Sequence, residues 1–243
     1  MLFKSLGGQK KIFIYWKFYL ILFYFIKKQA LWFVSNCDAK TRIKIGLLIA
    51  KTIPIRVFGR CNHEIEYMRR YGLYRLSTFH KLDIFIRNIF GFMPSNNAQN
   101  CKRGSDCERI EFGESKFYFS FESKNCTSYI TEKLWRILDT RMIPVVFQPA
   151  KEFYELVAPA DSFIHADDFD SFDHLAKHLD LVASSFDVYL KYHLWRLDYS
   201  IAYKQHQTEP RRMCELCTKL NTETSVIYYD KVYEWFNYKC YSN

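Results

Sequence analysis

From residue 30 onward the chain alternates short, continuous apolar runs with longer segments whose apolar residues recur every three or four positions. ALWFVSN (Ala30–Asn36), IPIRVFG (Ile53–Gly59), KFYFSFE (Lys116–Glu122), MIPVVFQ (Met142–Gln148) and SFIHADDF (Ser162–Phe169) are rich in aromatic and β-branched residues and read as strands. MIPVVFQ has no polar alternation, as expected of a parallel strand covered on both faces. Between the strands, Asp38–Lys51 carries an apolar stripe through Ile43, Leu47 and Leu48. Ser128–Thr140 carries one through Ile130, Leu134, Ile137 and Leu138, and two further helices are predicted at Ser171–Ala183 and Phe186–Arg196. Strand and helix in alternation predict an α/β domain with a mostly parallel sheet over residues 31–210. Residues 62–100 break the rhythm and end in the turn-forming MPSNNAQN, so they read as an insertion. Residues 211–243 form a cysteine-containing tail.

The first thirty residues differ in kind. Ile12 to Ile26 is apolar except for Lys17, with lysines on both sides. As a helix this run spans roughly 22 Å, less than the ~30 Å hydrocarbon core of a bilayer. It reads as a membrane anchor if Lys17 snorkels to the interface, and otherwise as an aromatic lead-in to the domain. The segment also changes the meaning of the net charge of +9. Six lysines and no acids fall in residues 1–30, leaving 29 basic against 26 acidic residues elsewhere. A nucleic-acid binder needs a basic face on its folded part, so that class is set aside.

There are eight cysteines, at 37, 61, 101, 107, 126, 214, 217 and 240. An even number beside a candidate membrane anchor fits a secretory compartment with disulfides. Cys214-Glu-Leu-Cys217 could also be half of a zinc site or a redox pair. Zinc would want a second pair at suitable spacing, and a redox pair belongs after the first strand of a βαβ unit. Structural disulfides are therefore the expectation for these two cysteines.

The densest chemistry lies in FYFSFESKNCTSYITEKLW, Phe117–Trp135. On a helix from Ser128, Tyr129, Glu132, Lys133 and Arg136 share one face. Ligands of doubly wound sheets bind at strand carboxyl ends, against helix starts. There a lysine can hold a phosphate, a glutamate can accept from ribose hydroxyls, and a tyrosine can pack on a sugar or base. The plainer alternative is a solvated face with a Glu132–Arg136 pair. Ser35 and Asn36 end the first strand at a similar position, and Arg42 follows with a guanidinium able to reach a diphosphate. No GxGxxG or GxxxxGKS fingerprint is present. Asp167-Asp168 reads as a helix cap rather than a metal site, since no third hard ligand is nearby.

At this point the chain resembles the alpha-1,3-fucosyltransferases. That family's donor signature runs Phe-x-x-x-Phe-Glu-Asn-Ser, then Asp-Tyr-(Ile/Val)-Thr-Glu-Lys-Leu-Trp, which the quoted stretch follows. FVSNC with Arg42, IRVFGRC, IPVVF, SFIHADDF, YLKYHLWR and CELC occur in the family's order. The cysteine pattern looks more like the branch acting on N-glycan cores than the Lewis-type branch. The resemblance implies a Rossmann-like fold corresponding to the C-terminal half of a two-domain GT-B glycosyltransferase. It implies inverting transfer of L-fucose from GDP-fucose to a GlcNAc hydroxyl of glycoprotein glycans, in the Golgi membrane, with the domain in the lumen and no cofactor required. By position, Arg42 and Lys133 should hold the diphosphate, Glu132 the ribose, and Tyr129 and Glu122 the fucose region. Val34 and Ser35 should line the nucleotide pocket. The family's general base belongs to its acceptor domain, to which no residue here corresponds, so this chain alone is expected not to transfer fucose. The alternative is a non-catalytic GDP-sugar-binding or partner-binding membrane protein. Three positions depart from the pattern: Ser123-Lys124 replaces Asn-Ser, Ser128 replaces the Asp before Tyr, and Gln148 replaces a glycine.

Overall fold

The computed structural model describes residues 2–4, 9–26, 28–62, 65, 101–201, 210–225, 228–237 and 240–241. The insertion predicted at 62–100 therefore lies almost wholly outside the described residues. The chain runs through β1 (Leu2–Lys4), α1 (Gln9–Phe25), β2 (Lys28–Phe33), α2 (Lys40–Ile49) and β3 (Ile55–Phe58). It continues with α3 (Asp106–Glu114), β4 (Ser115–Phe119), the short β5 (Asn125–Cys126), α4 (Glu132–Leu138), β6 (Ile143–Val146) and α5 (Lys151–Glu155). β7 (Ile164–His165), α6 (Phe172–Ser184), α7 (Phe186–Lys191) and β8 (Tyr199–Ile201) follow, then α8 (Pro210–Thr222), α9 (Val232–Asn237) and β9 (Cys240–Tyr241).

Five strands form one parallel sheet in the order β3-β2-β4-β6-β7. This is the expected α/β, Rossmann-like architecture. Successive residues on the central strands point to opposite faces, and both faces are apolar. Trp32, Phe117, Phe119 and Phe121 join the core formed with α2, α6 and α7. Leu31 and Tyr118 enter a second core with Ile137 of α4, against which Phe112 of α3 packs. Helix α2 lies close on the sheet because a Cβ at Gly46 would meet the Trp32 ring at 2.5 Å. Trp32 is itself only 1% exposed and has no room to move.

The N-terminal helix α1 has 17 residues, and among the described residues no helix is long and apolar enough to cross a membrane. It packs on the domain. Tyr19 and Phe23 are buried in the main core, and the Phe23 ring contacts Phe186 and Tyr189 of α7 at 5.7 and 5.4 Å. Ile21, Tyr24 and Phe25 stay exposed. Beneath Phe23, the ammonium of the buried Lys116 sits 3.7 Å from the ring centroid and donates to the Ala183 carbonyl at 2.6 Å. Burial pulls Lys116 down to about 8 from an ordinary 10.5. Between those values the unfolded chain still holds a proton that the folded protein has released, so stability rises with pH there. Burial pushes Tyr118, Tyr154 and Tyr189 up from an ordinary 10, so their ionisation on unfolding lowers stability above that pH. Chemical denaturation across pH 7–11 should show stability rising by roughly 1–2 kcal/mol from pH 8 to a maximum near 10. Lys116→Met should flatten that rise; an unchanged rise would remove Lys116 as its source.

Three disulfides form: Cys37–Cys61 beyond the ends of β2 and β3, Cys101–Cys107 at the start of α3, and Cys126–Cys240 between β5 and β9. Cys214 and Cys217 correct the expectation of structural disulfides at the CxxC. Both are free and exposed on α8. Cys240 is bonded to Cys126 where β9 pairs antiparallel with β5. Asp167 and Asp168 do not cap the helix that follows. Ser171 caps α6 by accepting from the His174 amide, and Asp168 pairs with Lys151 at 2.8 Å.

Candidate functional site

The sheet reverses its direction of travel between β2 and β4. From β2 the chain crosses through α2 to β3 on one side; from β4 it crosses through α4 to β6 on the other. Such a reversal opens a crevice at the carboxyl ends of the two central strands. Val34, Ser35 and Asn36 form one lip, and Ser120, Phe121 and Glu122 the other.

The first lip is held by backbone and sulfur. The Val34 amide donates to the Phe58 carbonyl at 2.8 Å, and the Val34 carbonyl accepts from the Cys61 amide at 3.2 Å. The Cys37–Cys61 bridge closes the same turn. Val34 is 1% exposed, so its side chain belongs to the core, while Ser35 and Asn36 stand exposed at the rim. Arg42, on the first turn of α2, joins the two lips. Its Nη2 donates to the Asn36 carbonyl at 2.8 Å and its Nη1 to the Phe121 carbonyl at 3.2 Å. The guanidinium is buried, with Nε lacking a hydrogen-bond partner. Burial pulls Arg42 below its ordinary value, against the opposing pull of Glu122 and of the Tyr129 and Tyr118 hydroxyls. Arg42 thus builds the crevice floor, and its positive charge acts on the crevice from below.

The second lip is organised by Glu122, whose side chain is 1% exposed. Its carboxylate accepts from the Thr131 amide and hydroxyl, both at 2.8 Å, and from the Lys133 ammonium at 2.7 Å. Lys133 also donates to the Thr131 hydroxyl at 2.7 Å. This network pins the turn between β5 and α4. Within that turn Ser128 has φ 61°, a left-handed conformation that Asp, Asn and Gly adopt more easily than Ser. The Asp of the family pattern at this position is accounted for by that geometry. The same holds at Gln148, whose φ of 52° suits the pattern's glycine.

The helix predicted from Ser128 begins only at Glu132, because Ser128 leaves the helical region. The face expected to carry four polar residues therefore divides. Lys133 turns toward Glu122 and the crevice, keeping 27% of its side chain exposed. Glu132 pairs with Arg103 at 3.3 Å, and Arg136 pairs with Glu108 of α3 at 2.8 Å. The plain Glu132–Arg136 pair is not formed. Burial pushes the Glu132 carboxyl up, but its own backbone amide, Lys133 and Arg103 outweigh that, so it lies below its ordinary value. Tyr129 stands outside the helix, close enough to Arg42 to act on its charge.

Of the residues predicted for the site, Ser35, Arg42, Glu122, Tyr129 and Lys133 gather at the crevice. Glu132 sits at its α3 side, and Val34 lies behind it. Thr131 was not foreseen; it joins through a hydroxyl that bonds Glu122 instead of capping α4. Among the described residues no group of three or more His, Cys, Asp or Glu is placed to hold a metal ion.

Residues 26–235 match the model of glycosyltransferase family 10 (fucosyltransferase), C-terminal part. The chain belongs to this family. It is similar to alpha-(1,3)-fucosyltransferase C of Drosophila melanogaster, at 28% identity over 215 residues, covering 86% of this chain and 41% of that protein. Over 86 residues it is 46% identical to the mouse 4-galactosyl-N-acetylglucosaminide 3-alpha-L-fucosyltransferase 9, covering 35% of this chain and 24% of that one. A crystal structure of an alpha1,3-fucosyltransferase with GDP-fucose superposes with a TM-score of 0.52 at 14% identity, over 84% of this chain and 50% of that one. The likeness shows the fold. The chain of this family 10 member spans less than half the length of the curated relatives it matches.

Proposed function

We propose that this domain binds the donor in an inverting transfer of L-fucose from GDP-fucose to a GlcNAc hydroxyl of glycoprotein glycans. The observation that carries the reading is the switch-point crevice, with Arg42 under it and the partly exposed Lys133 on its wall. Transfer leaves negative charge on the departing diphosphate, and cations at the crevice stabilise that charge as it develops. Lys133 meets the diphosphate by leaving Glu122. Arg42 adds charge from below and keeps the two lips in register. Glu132 accepts from the ribose, and Tyr129 and Ser35 border the sugar and the base. Glu122, with both oxygens occupied by Thr131 and Lys133, shapes the fucose end by holding the turn that carries Tyr129. GDP-fucose is the only small molecule this scheme needs. Relatives named as alpha-(1,3)-fucosyltransferases, one of them named for an N-acetylglucosaminide acceptor, support the acceptor class. We extend the reading to the Golgi membrane, supported by three disulfides that need an oxidising lumen. The exposed Ile21, Tyr24 and Phe25 of α1 offer an apolar face for membrane contact.

Lys133→Ala should weaken GDP binding by about 1.5–3 kcal/mol, the scale of a hydrogen bond to a charged group. Titration calorimetry of both proteins with GDP reads this directly. Equal affinities would overturn the assignment of Lys133 to the diphosphate.

A further inference from the structure

We infer that Arg103 is a positioning residue of the nucleotide site, holding the Glu132 carboxylate where it meets the two ribose hydroxyls of a guanosine diphosphate. The inference rests on the donor reading above and names what makes that site selective for a ribonucleotide.

Arg103 is not part of the recognisable donor signature. It lies in a short loop closed on itself by Cys101–Cys107. Inside the loop the Ser105 amide donates to the Lys102 carbonyl at 3.0 Å, and Gly104 takes a φ of 80° that a side chain would resist. The Gly104 amide donates to Glu108 Oε2 at 2.8 Å, and Glu108 Oε1 pairs with Arg136 at 2.8 Å. The Glu108–Arg136 contact is well covered, with side-chain exposures of 8% and 14%. Arg136 lies one turn below Glu132 on α4. The loop is thus fixed against the helix that carries Glu132, and from this fixed base Arg103 reaches the carboxylate at 3.3 Å.

Folding alone does not account for this arrangement. Both partners of the Arg103–Glu132 pair are over two-fifths exposed, and such pairs contribute little to stability. The pair does tether one carboxylate oxygen, because Arg103 Nη1 donates to Glu132 Oε1 at 3.3 Å from a loop that is itself braced against α4. Glu132 remains 43% exposed, so it can accept from a ligand while Arg103 holds it. Two neighbouring ribose hydroxyls are the donors such a carboxylate suits, and their recognition depends on its orientation.

The test compares GDP with 2′,3′-dideoxy-GDP by calorimetry on the full chain, for the wild type and Arg103→Gln. The wild type should prefer GDP by tenfold or more. Arg103→Gln should lose about five- to tenfold in GDP affinity, bind the dideoxy nucleotide within twofold of wild type, and keep the thermal midpoint. Arg103→Lys keeps the charge on a shorter, more strongly hydrated head group, so it should restore less than half of the preference on a logarithmic scale. Equal losses for both nucleotides would mean that Arg103 contacts the phosphates, and an unchanged preference would mean that it does not position Glu132; either overturns the inference and leaves the donor reading standing. A wild type that binds neither nucleotide at millimolar concentration overturns both.

Discussion

Gly59→Ala is expected to lower the thermal midpoint by roughly 6–12 °C and to abolish measurable nucleotide binding with it. Gly59 ends β3 with φ 99°, a conformation that costs an alanine about 1–2 kcal/mol. An added Cβ would lie 2.4 Å from the Val34 carbonyl oxygen and 2.9 Å from Ser35 Oγ. The first of these is backbone, held by the Cys61 amide and the nearby Cys37–Cys61 bridge, so it cannot move aside cheaply. Overpacking of this kind adds about 1–3 kcal/mol. The sum is on the order of 3 kcal/mol, which for a domain of this size converts to the stated shift. The displaced atoms form one lip of the crevice, so the stability loss and the binding loss arise together. Near-UV circular dichroism during heating, with calorimetry against GDP, checks both. A variant with the parent's midpoint would mean that β3 and the exit of β2 are further apart than described.

Arg42→Met should cost about 3–5 kcal/mol of stability, the range for removing one member of a buried charged network. The methionine fills much of the volume but leaves the Asn36 and Phe121 carbonyls without their donors. It also removes the positive charge that faces the buried Glu122. Arg42→Lys is the informative companion. It keeps the charge and cannot span both carbonyls, so it should recover part of the loss but not all. Urea denaturation separates the three proteins. If Arg42→Lys matched the wild type, charge alone would explain Arg42, and the bridging of the lips would contribute nothing.

Both variants act where the chain pattern was easiest to read. Strands β2, β3, β4, β6 and β7 were visible because their aromatic and β-branched residues form short apolar runs, most continuous in the central β6, which is buried at every position. What the pattern could not show depends on partners distant in the chain. The helix at Ser128 was read too long because Ile130 fits its apolar stripe and Tyr129 its polar face; the left-handed turn at Ser128 leaves no mark in hydrophobicity. Helix α3 passed unseen because its buried residues are Glu108 and Glu111, made tolerable by Arg136 and Arg56. Thr131 drew no notice, since its partner, Glu122, lies nine residues earlier in the loop after β4. The site's charged residues were legible by type and spacing. Their roles were not, because Arg42 could be read as a phosphate grip until its two carbonyl partners were located.

The Cys126–Cys240 bridge also sets an order of events during synthesis. Cys101 and Cys107 are six residues apart and Cys37 and Cys61 are 24 apart, so each pair can close soon after its second cysteine emerges. Cys126 must wait for a partner 114 residues later, on the order of ten seconds at ordinary elongation rates. Through that interval the segment between Phe121 and Thr131 has no strand beside it, and its thiol is open to exchange with Cys214 and Cys217, which are made before Cys240. Fastening of this segment is therefore the last covalent step in building the crevice, and the step at which a disulfide isomerase has the most to correct.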